Sequence, residues 1–220
     1  MKKNELKSKI AYETIEEMIT FQELIPGGMY SESKLIEITE LGRSPIREAL
    51  QRLVVDKMVE IFPSKGILIT PISVESQVRL LEVRRNVGEF AMKLAAIRAT
   101  HNDKSEMQTI IDELLQIKQI AQAKQLVKLL KKTHAITVIA TKNEFVDSVL
   151  SPLQGLSRRF WVAHLNHRDA ELKKVAELYL NKLKAICQNN VEGTIKASLE
   201  INDYFTNYTH QVLTSLTPKL

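Results

Sequence analysis

The stretch Leu41-Gly42-Arg43-Ser44-Pro45-Ile46-Arg47-Glu48-Ala49-Leu50-Gln51-Arg52-Leu53 decides the fold. Ser is a preferred helix N-cap, and Pro at the first helical position gives up an amide that has no partner there. Ser44-Pro45 is therefore expected to open a helix that runs to about Lys57. Ile46, Ala49, Leu50 and Leu53 recur at helical intervals and make its apolar face. Arg43, Ser44 and Arg47 stand at its amino end, where two guanidiniums, a hydroxyl and unpaired amides can meet phosphates or base edges.

Upstream, Ile10, Ile15, Met18, Ile19 and Phe21 between Glu5 and Glu23 follow mostly helical spacing, and Pro26-Gly27-Gly28 ends that segment. Ser31 is placed to cap a short second helix bearing Leu35, Ile36 and Ile38, which Gly42 breaks. Downstream, Val59-Glu60-Ile61-Phe62 and Ile67-Leu68-Ile69-Thr70 flank Pro63-Ser64-Lys65-Gly66, the pattern of a hairpin with Lys65 and Gly66 at its tip. Three helices and a hairpin in this order make a winged helix-turn-helix over residues 1–73. Its third helix is expected in the major groove and its hairpin against the backbone or minor groove.

From Val74 to the end the pattern is helical, so the expected fold class is mostly α, with an all-helical domain over residues 74–220. Val83, Val87, Phe90, Leu94 and Ile97 mark the seam of a long amphipathic helix. Asn102-Asp103 is expected to cap the next helix. Further helices are expected over about 124–141, after Asn143 through Arg158-Arg159-Phe160-Trp161, and over about 169–188 and 192–215.

Composition narrows the function. In 220 residues, 44% are hydrophobic and 26% charged, as in a packed globular chain. Cys187 is the one cysteine, which excludes an internal disulfide and offers no structural zinc motif. No apolar run approaches the roughly 18 residues of a membrane span, so a soluble, cytoplasmic protein without a membrane partner is expected. The net charge of +5 does not mark a DNA-binding half, because residues 1–75 hold 10 Lys/Arg against 12 acids. DNA contact must come from locally clustered bases. No Gly-x-Ser-x-Gly elbow, no Gly-rich phosphate loop after a strand and no nucleophile pattern around the five His is present, so no enzyme is expected.

Pro26-Gly27, the Leu41–Leu53 stretch and the Lys65-Gly66 wing together resemble the DNA-binding domain of the GntR superfamily of bacterial transcription factors. The resemblance implies DNA contacts at Arg43, Ser44, Arg47 and Gly66, and at Ser31. Gly42 stands where many members have Ser. The segments Leu81-Glu82-Val83-Arg84-Arg85, Leu94-Ala95-Ala96, His134 with Asn143-Glu144-Phe145, and Leu156-Ser157-Arg158-Arg159-Phe160-Trp161 resemble the ligand-sensing FCD domain of the FadR subgroup. Many such domains hold a metal through one Asp and three His. Here those positions fall on Leu130, His134, Tyr179 and about Ile201, so neither a metal nor another cofactor is expected.

What the resemblance implies is a homodimeric transcriptional regulator on a palindromic double-stranded DNA operator. A small, carboxylate-bearing effector would bind in the helical domain. Arg84 and Arg85, and Arg158 beside Trp161, offer guanidiniums for it; with His134 they are the candidate effector residues. Two alternatives stand beside this reading. The helical half could be a dimerisation scaffold that has lost effector and metal sensing, or a metal-dependent enzyme with an atypical site at His134, His164 and His167.

Overall fold

The structure, a computed structural model, describes residues 2–117, 122–165 and 169–216. Its elements are α1 (Lys2–Thr20), β1 (Met29–Tyr30), α2 (Glu32–Thr39), α3 (Arg43–Val55), β2 (Val59–Phe62), β3 (Gly66–Ile69), α4 (Val74–Arg98), α5 (His101–Leu114), α6 (Ala123–Thr141), α7 (Glu144–Ala163), α8 (Asp169–Cys187) and α9 (Val191–Leu216). They fall into two compact units. One runs to Ser73 and also takes in Gly155–Ala163 from α7; the other comprises the remaining helices.

In the first unit Ile15 and Ile19 of α1, Leu35 of α2, and Ile46, Ala49, Leu50 and Leu53 of α3 close one core with Ile67 and Ile69 of β3. The apolar face read from the sequence of α3 is thus the buried face. The sheet has three strands in the order β1-β3-β2, all antiparallel, with Met29 opposite Leu68 and Val59 opposite Ile69. Sequence reading gives only the hairpin, because β1 is two residues long and too short to show alternation. Gly66 opens β3 at φ +119°, and a Cβ there would lie 2.7 Å from the Tyr30 carbonyl oxygen. The β1–β3 pairing, and not only the approach of a partner, requires glycine at this position.

The start of α3 corrects the sequence reading. The helix begins at Arg43 with Gly42 as N-cap, and Ile46 N–H closes the first turn on the Gly42 carbonyl at 3.2 Å. Ser44 lies inside the first turn and donates instead to Glu48 Oε1 at 3.2 Å. Pro45 still costs nothing, since first-turn amides have no helical partner.

In the second unit α4 packs on α9 and α6, and α8 on α9 and α5. Here α4 buries Leu80, Leu81, Arg84, Gly88, Ala91, Met92, Ala95 and Ala96, whereas Val83, Phe90 and Ile97 are exposed. The apolar seam predicted for this helix is therefore its outer stripe. Small residues carry the inner face because they let neighbouring helices approach closely. A second cap also shifts: Thr100, not Asn102 or Asp103, is the N-cap of α5, and Asp103 completes a capping box by accepting the Thr100 N–H at 2.8 Å.

Candidate functional site: nucleic-acid interface and cationic cavity

The amino end of α3 presents Arg43 and Arg47 to solvent, with side chains 67% and 63% exposed. Both are held by one carboxylate. Glu32, at the start of α2, takes Arg47 Nε on Oε2 at 2.7 Å and Arg43 Nε on Oε1 at 3.2 Å. The sequence reading missed Glu32, because the residues lie 15 positions apart and no fixed spacing announces the pair. Ser44 is exposed on the same turn, and its partner Glu48 also accepts from Ser8 of α1.

Ser31, beside Glu32, accepts the Lys34 N–H at 3.1 Å and caps α2. Its hydroxyl proton is still available to a partner outside the protein. Lys65 is exposed in the turn that leads into β3, followed by the half-buried Gly66. The end of α3 thus gathers donors of both kinds, cationic forks and first-turn amides, on an open surface, which is chemistry for a polyanion.

A different chemistry is buried in the helical unit. Arg84 and Gly88 of α4, His134 and Thr137 of α6, Tyr179 and Lys182 of α8, and Ser198 and Asn202 of α9 line a cavity of about 30 Å³. Arg84 is 4% exposed, and its guanidinium lies 4.6 Å from the centroid of the Phe205 ring. Burial pulls its pKa down, against a smaller opposing effect of Tyr179. Lys182 is 6% exposed, and its ammonium lies 4.9 Å from the Tyr179 ring centroid. Desolvation, and then repulsion by Arg84, push the Lys182 pKa down to about 7. No carboxylate is among the lining residues. Sequence reading missed Lys182, since one lysine in a helical stretch reads as a solvated charge.

Of the five candidate effector residues, the structure brings Arg84 and His134 to this cavity and not the other three. Arg85 is turned outward and pairs with Asp203. Arg158 and Trp161 belong to the first unit: Arg158 forms a buried ion pair with Glu16 at 2.7 Å, and Trp161 is fully buried. The neighbouring Arg159 donates to Thr70 Oγ1 at 2.9 Å. These arginines on α7 found structural partners in the head, which a local reading of an Arg-Arg-aromatic run cannot reveal.

His134, Tyr179 and Ile201, the positions that the resemblance implies for metal ligands, line this cavity. Their chemistry does not fit a metal ion. One imidazole, a phenol and an alkyl group beside two cations do not make the about three or four donors a divalent ion takes from protein. His164 does not line the cavity, and its carbonyl accepts from Tyr208 at 2.6 Å. His167 lies outside the described residues. Among the described residues no cluster of three His, Cys, Asp or Glu could hold a metal.

His134 Nε2 lies 2.8 Å from Ser151 Oγ, which itself donates to Asp147. The serine proton is directed at the carboxylate, so Nε2–H donates to the hydroxyl. This order, imidazole to hydroxyl to carboxylate, differs from a nucleophilic triad, in which the imidazole accepts from the hydroxyl.

Comparison with known proteins matches residues 7–69 to the bacterial regulatory proteins of the gntR family, and residues 79–203 to the FCD domain. The Nta operon transcriptional regulator of Aminobacter aminovorans is 25% identical over 161 residues, 73% of this chain and 75% of that protein. E. coli McbR/YncC superposes with a TM-score of 0.77 at 18% identity, over 94% of this chain and 98% of that one. A GntR transcriptional regulator from Rhodococcus sp. RHA1 gives 0.68 at 15% identity, over 96% and 99%. The solved structures show the fold. Among the described residues no helix is long and apolar enough to cross a membrane.

Proposed function

The chain belongs to the GntR family of bacterial transcriptional regulators, with an FCD domain after its helix-turn-helix, and from that premise we propose that a small anionic metabolite bound in the helical unit controls its affinity for operator DNA. The family is one of regulators and not of enzymes. The DNA contacts in this reading are Arg43, Ser44 and Arg47 at the end of α3, Ser31 beside them, and Lys65 and Gly66 in the wing. Arg47 is the residue for base discrimination, since a guanidinium can bridge O6 and N7 of guanine.

The observation that carries the effector reading is Arg84, a guanidinium buried against a cavity. Its guanidinium stands at the cavity wall, and a carboxylate matches the fork of a guanidinium. The cavity has room for about one or two waters, so a larger ligand must move the lining. A ligand that prefers the moved arrangement shifts the equilibrium toward it.

The regulator acts as a homodimer on a palindromic operator. Support comes from the outer stripe of α4, where exposed Val83, Phe90 and Ile97 recur on one face and suit an equivalent helix of a second copy. Two-fold symmetry then sets recognition helices about 34–36 Å apart or a multiple of it. The test is binding of Arg47→Ala to selected operator and to random DNA. Operator affinity falls by about 1–3 kcal/mol and random-sequence affinity by less; equal losses would take the base-reading role away from α3.

A further inference from the structure

The cavity's second cation is the more telling one. A buried ammonium loses its hydration, and a leucine or methionine at position 182 would pack in the same helix without that penalty. Lys182 faces Arg84 across the lining, so each charge makes the other more costly. The Tyr179 ring offers partial compensation to the ammonium and the Phe205 ring to the guanidinium. A ring face offsets only part of the cost of burying the Lys182 ammonium beside a second cation.

Other lining groups also favour an anion. Asn202 is 5% exposed, and its buried Oδ1 has no hydrogen-bond partner among the described residues. Rotation of the amide exchanges that oxygen for an NH2 donor. Ser198 and Thr137 add hydroxyls, and no lining residue is Asp or Glu. The donor set that does not fit a divalent cation is suited to negative charge.

We propose that Lys182 and Arg84 together hold a small dianion in this cavity, with the positive charge supplied by the protein's own side chains. This rests on the reading of the cavity as an anionic effector site and specifies the ligand's charge and size. The free volume of about 30 Å³ favours the smallest candidates, with both charges a few ångströms apart. Inorganic phosphate and a short dicarboxylate share that chemistry.

The test is titration of the full chain with malonate, with inorganic phosphate and with acetate at matched ionic strength, read by calorimetry and thermal shift. Malonate or phosphate is expected to bind at least about tenfold more tightly than acetate and to raise the melting temperature; which of the two is stronger identifies the source. Lys182→Met is expected to lose the preference for the dianion while melting no lower than the parent. Lys184→Met, on the exposed side of the same helix, keeps it. Should Lys182→Met fail to fold, Lys182→Gln makes the same comparison.

Acetate binding as tightly as malonate, or an undiminished dianion preference in the Lys182 variant, overturns the proposal while leaving an anionic effector at Arg84. Failure of all three anions to bind, with Arg84→Gln indistinguishable from the parent, overturns the effector reading itself.

Discussion

Glu32 Oε2 holds Arg47 Nε at 2.7 Å, so the guanidinium best placed to read DNA already has a carboxylate on it. The other oxygen holds Arg43. DNA must compete with this clamp for both arginines, and the negative charge also repels phosphate. Such exposed pairs are worth roughly 0–1 kcal/mol each. Glu32→Gln is therefore expected to strengthen DNA binding by about 0.5–2 kcal/mol, more for random sequence than for operator. The log–log salt dependence should steepen by about one unit as a further cation reaches the backbone. Anisotropy titrations across a salt series check this; unchanged affinity at low salt would mean the clamp survives on DNA.

Arg158 and Glu16 pair at 2.7 Å with side chains 9% and 1% exposed, inside the unit that carries the winged helix. Removing one partner leaves a buried charge uncompensated, at a cost of about 3–5 kcal/mol. Glu16→Ala and Arg158→Met should each lower the denaturant midpoint strongly. The double variant Glu16→Met/Arg158→Met should recover most of the loss. Equal loss in the single and double variants would mean that the two charges are not coupled.

Gly88 sits in the interior of α4 on the cavity wall, and a Cβ there would meet Ser198 Oγ at 3.5 Å, an ordinary contact. Alanine favours a helix interior over glycine by about 1 kcal/mol. Gly88→Ala is expected to melt higher than the parent and to bind anions more weakly, since the methyl group takes up cavity space. A gain in stability with unchanged anion affinity would place the ligand elsewhere.

The head was legible because its signals are local and mutually consistent. The Ile46-Ala49-Leu50-Leu53 face, the breaks at Gly42 and Pro71, and the Lys65-Gly66 turn each constrain a few adjacent residues. Periodicity in α4 was equally clear but ambiguous. It identified the Val83-Phe90-Ile97 stripe without saying what covers it, and the inner face, built on Gly88, Ala91, Ala95 and Ala96, carries a weaker apolar signal. The cavity depended on residues from α4, α6, α8 and α9, and only Arg84 and His134 stood in motifs. Lys182 and Glu32 act through partners far away in sequence, and such pairings exist only once the chain is folded.

Asp103 completes the α5 capping box and pairs with Lys142 Nζ at 2.7 Å. Burial raises its pKa, but the Lys142 ammonium and the Thr100 donors outweigh burial and leave it lowered. A depressed carboxylate contributes stability that is present above its unfolded value of about 3.9 and is lost as pH falls through the folded value. Asp103→Asn should cost about 1 kcal/mol at neutral pH. The cost should shrink as the parent is acidified below about pH 4. Urea melts at pH 7 and pH 3 compare the two; an equal deficit at both would attribute the loss to packing.

Lys182 gives the opposite pH limb. Its pKa falls from 10.5 to about 7 on folding, by desolvation first and Arg84 second. Between those values the unfolded chain binds a proton that the native protein lacks, so stability rises with pH across that window. Below about pH 7 both states are protonated and the penalty of the buried charge is fully present. The groups facing it are Arg84 from α4, His134 from α6 and Tyr179 on its own helix, with no carboxylate in the lining to hold the ammonium. Lys182→Met should flatten the rise between pH 7 and pH 10. A dianion reverses the balance by stabilising the ammonium, so malonate binding above pH 7 should take up a proton, and its affinity should fall by up to about tenfold per pH unit. Calorimetry in buffers of different ionisation enthalpy measures that proton directly. A profile equally steep in Lys182→Met would take the proton away from Lys182.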